Sequence, residues 1–300
     1  LGAGPKSGTQ PLLFIIGLGV NIPDHTTVEA SRCMQACRRI YSIVQESPAI
    51  WLPEYVGPKP QVVNVMDMYR DGVLRTDNYE RAAKTIIDAL TETSPVGYVT
   101  YGNPLVYDSV AQSLVRYAVQ AEIPFRVVAG LSSIDTLLCD LRVDMAPGLQ
   151  IYEASWLVAA GIELRTDTAA ILLQIGAFGS LLAHYHTLPE PASLSGLVSY
   201  LGQFYAHSHR CFLVRSSSMR DRLSNVREVE IGNLCKLLTQ DIQNASMYVP
   251  AVRAVALDEE AVAKMATQLE VHPENPRLSG PNGIRPQIEA ALQVKTKTTS

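Results

Sequence analysis

Short apolar runs and helically spaced apolar positions alternate along the first half of the chain. LLFII at 12–16 is a continuous apolar run closed by glycine, which predicts a strand buried on both faces. Ala30, Cys33, Met34, Cys37 and Ile40 then recur at helical period, and Thr26 with Glu29 has capping-box spacing at the start. IYSIV at 40–44 and QVVNVM at 61–66 read as the next strands. A helix is expected beyond them, with Asp77 as N-cap and Tyr79, Ala82, Ala83, Ile86, Ile87 and Leu90 on one face. VGYVTY at 96–101 is a further buried strand, broken by Gly102-Asn103-Pro104. A helix over 109–121, a strand at FRVVA (125–129) and a helix over 132–141 complete this half. Strands that alternate with helices predict a mainly parallel sheet covered on both faces.

The second half reads differently. QIYEA (150–154), AAILLQI (169–175), CFLVR (211–215) and VREVEI (226–231) are strand-like, and helices are expected over 193–206 and near 233–242. The whole pattern predicts an α/β fold of two α/β domains, with a mainly parallel sheet in the first and a mixed sheet in the second. The expected limits are 12–118 and 119–256, with a flexible N-terminus at 1–11 and a C-terminal tail at 257–300. The apolar run at 12–20 lacks a basic leader and a small-residue cleavage site, and it is too short to span a bilayer.

Composition narrows the function. Apolar residues make up 47% and charged residues 18%, as in a globular chain. The net charge is −4 and no Lys/Arg block stands out, which argues against nucleic acid or an anionic membrane as partner. Five cysteines without regular spacing fit free thiols in a reducing, cytoplasmic setting. No Walker motif and no G-x-S-x-G elbow occurs, and Val20-Asn21-Ile22 denies the first loop the third glycine of a dinucleotide fingerprint. His184-Tyr185-His186 and His207-Ser208-His209 have the look of metal pairs, but no cysteine or carboxylate cluster completes either, so no metal site is expected. Cys33 and Cys37 read as small core residues.

In open parallel sheets, ligands bind beyond the carboxyl ends of the strands. Three glycine loops are expected there: Gly17-Leu18-Gly19, Gly102-Asn103-Pro104 and Gly130-Leu131-Ser132-Ser133. Tyr69, Arg75 and Tyr79 gather ahead of and within the first turn of a helix. By pattern alone, Tyr79 reads first as a half-buried core tyrosine, Tyr69 and Arg75 could equally form a loop or cation–π contact, and Tyr101-Gly102-Asn103-Pro104 reads as a turn or, by its place after a buried strand, as a functional loop in about equal measure.

Taken in order, these loops resemble the tetrapyrrole methylase superfamily of class III S-adenosylmethionine-dependent methyltransferases, over roughly Leu12 to Pro250. The nearer resemblance is to its borosin-type branch, the peptide backbone α-N-methyltransferases. That branch carries Y-G-H-P-G-V-F where this chain has Tyr101-Gly102-Asn103-Pro104-Leu105-Val106-Tyr107. It also carries Y-x5-R-x3-Y, matched by Tyr69, Arg75 and Tyr79. Further matches are Tyr152-Glu153-Ala154, Gln174-Ile175-Gly176 and Met247-Tyr248-Val249-Pro250-Ala251. Asn103, Leu105 and Ala129 depart from the family's histidine, glycine and proline, which bears on the shape of the cofactor pocket.

The resemblance implies S-adenosylmethionine as donor, with S-adenosylhomocysteine as product, held in a cleft between the domains. Its expected contacts are Gly17, Gly19, Tyr101, Gly102, Asn103, Pro104, Val106, Tyr107, Ser132, Ser133 and Gln174. Tyr79 is expected as base, with Arg75 favouring its phenolate or polarising the amide carbonyl. Tyr69 and Tyr101 are expected to hold the substrate amide or donate to its oxygen. A homodimer is also implied. The residues after Pro250 lack an apolar core peptide and end on polar QVKTKTTS, so a precursor peptide supplied as a separate chain is expected ahead of self-methylation of the tail. C-methylation of a tetrapyrrole or other small metabolite, and a non-catalytic methylase-like binding protein, stand as alternatives.

Overall fold

The computed structural model describes residues 10–55, 58–184, 194–218, 222–237, 239–253, 258 and 260–265. Residues up to Val252 form one compact unit, and a second begins at Arg253. The first unit holds two five-stranded sheets.

The first sheet is built from β1 (Leu13–Gly17), α1 (Val28–Ala36), β2 (Arg39–Ser42), α2 (Pro48–Trp51), β3 (Gln61–Asn64), α3 (Arg75–Asp88), β4 (Val96–Thr100), α4 (Ser109–Gln120), β5 (Phe125–Val128) and α5 (Ser133–Leu141). Its order is β3-β2-β4-β1-β5, all parallel. The crossover from β1 to β2 passes β4 in one direction, and that from β4 to β5 passes β1 in the other. Right-handed crossovers therefore place α1 and α4 on opposite faces. Phe14, Ile16, Ile40 and Val99 pack with α1 through Ala30, Cys33 and Met34. Leu13, Ile15, Tyr41, Val96 and Tyr98 pack with α3 and α4. Burial on both faces explains why β1 and β4 carry no polar alternation.

The second sheet comprises β6 (Leu149–Glu153), α6 (Ala154–Ala159), β7 (Ala169–Leu173), α7 (Ser195–Leu201), β8 (Arg210–Arg215), β9 (Asn225–Glu230), α8 (Thr239–Ile242) and β10 (Ser246–Val249). Its order is β6-β7-β10-β8-β9, with only β6 and β7 parallel. One face packs on α6 and α7. Against the other, Leu137, Ile134 and Leu141 of α5 meet Ile171, Leu173 and Val214. The mixed sheet matches the expectation, and the first sheet is parallel throughout.

Several local expectations are corrected. Thr27, not Thr26, caps α1 by accepting from the Ala30 N–H, and Glu29 pairs with Arg126 instead of closing a capping box. Asp77 lies inside α3, which begins at Arg75 behind Leu74 with no side-chain cap. β3 stops at Asn64, whose side chain starts a 3-10 turn over Val65–Met68. The expected helix over 193–206 is described as Ser195–Leu201, with residue 193 outside the described residues, and that near 233–242 divides into a 3-10 turn and α8. β5, on the far side of the expected limit at residue 118, pairs with β1 inside the first sheet.

Candidate active site

The three glycine loops meet at the carboxyl ends of β1, β4 and β5. Gly19 and Gly102 form an antiparallel bridge, with the Gly102 N–H donating to the Gly19 carbonyl at 2.9 Å. A Cβ on Gly130 would sit 2.3 Å from the Gly102 oxygen and 2.7 Å from the Gly19 nitrogen, so only glycine allows this approach. Because β1 and β4 are the strands between which the order reverses, the loops stand at the switch point of the sheet.

Around this knot the side chains are committed unevenly. Asn103 accepts from the Leu105 N–H through Oδ1. Ser132 and Asp135 form a capping box on α5, so the Ser132 hydroxyl is spent and its loop offers mainly backbone. Ser133 is the first residue of that helix. Val106 packs against the second sheet, and Tyr107 sits in the left-handed region at φ 60°. Asp108 closes the loop as N-cap of α4 and accepts from Tyr98 at 2.9 Å; burial pushes its carboxyl up. Gln174 follows β7 in the left-handed region at φ 57°. Leu105, Leu131 and Tyr107 remain 53%, 45% and 39% exposed on these loops. Exposed apolar side chains thus stand beside open glycine backbone, a lining that offers a ligand both apolar surface and hydrogen-bonding groups.

The tyrosine cluster assembles at the start of α3, on the same carboxyl edge. Arg75 Nε donates to the Tyr79 hydroxyl at 3.0 Å, one helical turn apart. The rings of Tyr69 and Tyr79 meet edge to face with centroids 6.0 Å apart. Tyr69 is buried, and Asn78 holds the turn beside it, accepting from the Arg70 N–H and donating to the Arg70 carbonyl. Residues 181–183 strap this region, with Gly72, Val73 and Arg75 hydrogen-bonded to Ala183 and Leu181. The backbone partner of the Arg75 N–H is thus supplied by the segment after β7, which replaces the expected cap.

Tyr101 stands apart from that cluster. Its ring packs with the α1 side of the sheet, its hydroxyl donates to Glu46 at 2.5 Å and it accepts from the Gln45 N–H at 2.9 Å. Burial first, and then the Glu46 carboxylate, pushes the phenol well up. Of the histidine pairs, His209 contacts the Pro250 carbonyl and His207 lies over Gly202 and Gly232, while Tyr185 and His186 lie outside the described residues. A surface hollow of about 440 Å³ beside β9, lined by Arg210, Arg227 and Lys236 among others, lies away from these loops. Its arginines Arg210 and Arg227 are ion-paired with Glu228 and Asp241.

The two-sheet fold is shared with solved methyltransferases. A cobalt precorrin-4 methyltransferase of cobalamin biosynthesis superposes with a TM-score of 0.56 at 14% identity, covering 79% of this chain and 94% of that one. The uroporphyrin-III C-methyltransferase of Thermus thermophilus gives 0.52 at 16%, covering 83% and 98%. The family model for Tetrapyrrole (Corrin/Porphyrin) Methylases matches residues 12–235. The chain belongs to that family and is an S-adenosylmethionine-dependent methyltransferase. Among curated relatives, a methyltransferase/ribosomally synthesized type I borosin cyclic peptide precursor of Serendipita vermifera subsp. bescii is 24% identical over 93% of this chain and 68% of its own length. A type II counterpart of Phlebiopsis gigantea is 26% identical over 79% of this chain and 42% of its own length.

Proposed function

We propose that this methyltransferase N-methylates backbone amides of a ribosomal precursor peptide. The observation that carries the reading is the Arg75–Tyr79–Tyr69 cluster on the carboxyl edge of the parallel sheet. The borosin relatives, whose names join a methyltransferase to a peptide precursor, support the same substrate class.

A peptide nitrogen is a poor nucleophile because its lone pair is delocalised into the carbonyl. Methyl transfer to it needs removal of the N–H proton and stabilisation of charge on the oxygen. Tyr79 is assigned as the base, its oxygen held by a hydrogen bond from the Arg75 guanidinium. Tyr69, edge-on to Tyr79, is assigned to hold the substrate amide. The donor supplies an electrophilic methyl group on a sulfonium, and positioning the nucleophile in line with it supplies much of the acceleration. Gly17, Gly19, Gly102, Asn103, Pro104, Ser132 and Ser133 are assigned to the donor with Val106, Tyr107 and Gln174. Tyr101 joins the donor side, because its hydroxyl proton is already given to Glu46. We further assign the peptide to a separate chain and the enzyme to a homodimer.

The test is co-expression of this chain with small open reading frames beside its gene, read by fragmentation mass spectrometry. The expected result is methyl-sized mass steps on backbone nitrogens of one peptide. Steps on the chain's own residues would mean self-methylation. No steps on either, from a protein that binds S-adenosylhomocysteine, would transfer the reading to a small metabolite.

A further inference from the structure

Glu46 lies outside every motif discussed above, yet it reaches the loop that opens the donor site. Its Oε2 accepts the Tyr101 hydroxyl proton at 2.5 Å, across 55 positions of sequence. The adjacent Gln45 N–H donates to the same phenol oxygen at 2.9 Å. A hydroxyl has one proton and two acceptor sites, so its donor capacity is exhausted and one acceptor is filled. The segment that carries these two partners is itself anchored. Ser42 Oγ accepts from the Val44 N–H inside the core, and buried Trp51 donates through Nε1 to the Glu46 carbonyl. Ser47 then starts α2 by accepting from the Ala49 N–H.

At the other end of this chain of contacts stands the glycine knot. Tyr101 immediately precedes Gly102, whose φ of 62° and bridge to Gly19 set the mouth of the three loops. A displaced Tyr101 ring would move that peptide directly. The rest of the loop is braced separately, through Val106 on the second sheet and Asp108 on Tyr98. Its first residue depends on the β2–α2 segment. Among the described residues Glu46 makes no salt bridge.

We propose that Glu46 is a positioning residue: by fixing the Tyr101 phenol it holds the Tyr101–Asn103 backbone in the geometry that receives the methyl donor. The inference rests on the reading of these loops as the donor site. A charge-assisted hydrogen bond of this length is stronger than a neutral one, which suits a contact that must hold against an incoming ligand.

The test is calorimetric titration of the full chain with S-adenosylhomocysteine, for the wild type, Glu46→Ala, Glu46→Gln, Tyr101→Phe and the Glu46→Ala/Tyr101→Phe double variant. Thermal melts of each establish folding. Glu46→Ala and Tyr101→Phe are each expected to weaken binding about tenfold, the worth of one charged hydrogen bond. The double variant is expected to be no weaker than the worse single one, because both remove the same contact. Glu46→Gln, which keeps an acceptor oxygen, is expected to recover most of the affinity. Should Glu46→Ala fail to fold, Tyr101→Phe against Glu46→Gln decides the matter. Wild-type affinity in both Glu46→Ala and Tyr101→Phe, or losses that add in the double variant, would overturn the proposal. A wild type that does not bind S-adenosylhomocysteine would instead overturn the donor-site reading, and the proposal with it.

Discussion

Asn78 is fully buried, and its amide is spent on both sides of Arg70 while Arg81 reaches its oxygen from the next turn. That bracing sets where the Tyr69 ring meets Tyr79. Asn78→Ala leaves the Arg70 N–H and carbonyl without their partner, and the expected cost is about 1–3 kcal/mol in urea unfolding, with methyl transfer reduced more than donor affinity. Turnover unchanged in a destabilised Asn78→Ala would show that the cluster does not depend on this brace. That Tyr69, Arg75 and Tyr79 come together follows from local geometry, a helical turn and the loop before it, but their reading as a site came from the family resemblance and not from pattern alone. Asn78 and Glu46 were not legible. Their roles arise from contacts with an irregular turn and with a residue far along the chain, and no residue pattern encodes those.

Between elements, two devices hold the site. Glu80 of α3 accepts from Ser113, Arg116 and Tyr117 of α4 and stands just beyond Tyr79. Arg116 first, with help from the hydroxyls, lowers its carboxyl to about 2. The folded pKa lies below the ordinary carboxylate value, so this stabilisation is complete above that value and is lost as pH falls toward 2. Both partners are well exposed, so its worth is under about 1 kcal/mol. Glu80→Gln is therefore expected to lower neutral stability by under about 1 kcal/mol, a difference that vanishes as pH falls toward 2, so that the acid side of the stability profile flattens slightly. The glycine knot is less tolerant: Gly130→Ala forces a Cβ against backbone atoms of both neighbouring loops. The expected loss is roughly 1–3 kcal/mol of stability, with weaker S-adenosylhomocysteine binding. At this scale β1, β4, α4 and β5 were legible to within a residue or two, since apolar runs and periods mark them. The starts of α1 and α3 were not. Thr27 rather than Thr26 meets the helix amides, and Arg75 begins α3 against a strap from residues 181–183.

The two sheets share one compact unit, and their cores meet through α5 and Val106. The alternation of strands and helices foretold a parallel sheet, and the broken pattern after residue 149 foretold a mixed one. Strand order was not legible, because pairing is decided by contacts between distant segments. It is that order which brings the loops after β1, β4 and β5 together. S-adenosylhomocysteine at a hundred times its Kd is expected to raise unfolding stability by about 2.7 kcal/mol, seen as a higher melting temperature. Tyr79, with Arg75, is proposed to activate a peptide amide. The most direct test is the rate of methyl transfer to the peptide by Tyr79→Phe, measured beside S-adenosylhomocysteine affinity. The expected result is a loss of roughly 10²–10⁴-fold in turnover with donor affinity unchanged. Turnover within a few-fold of the wild type would contradict it.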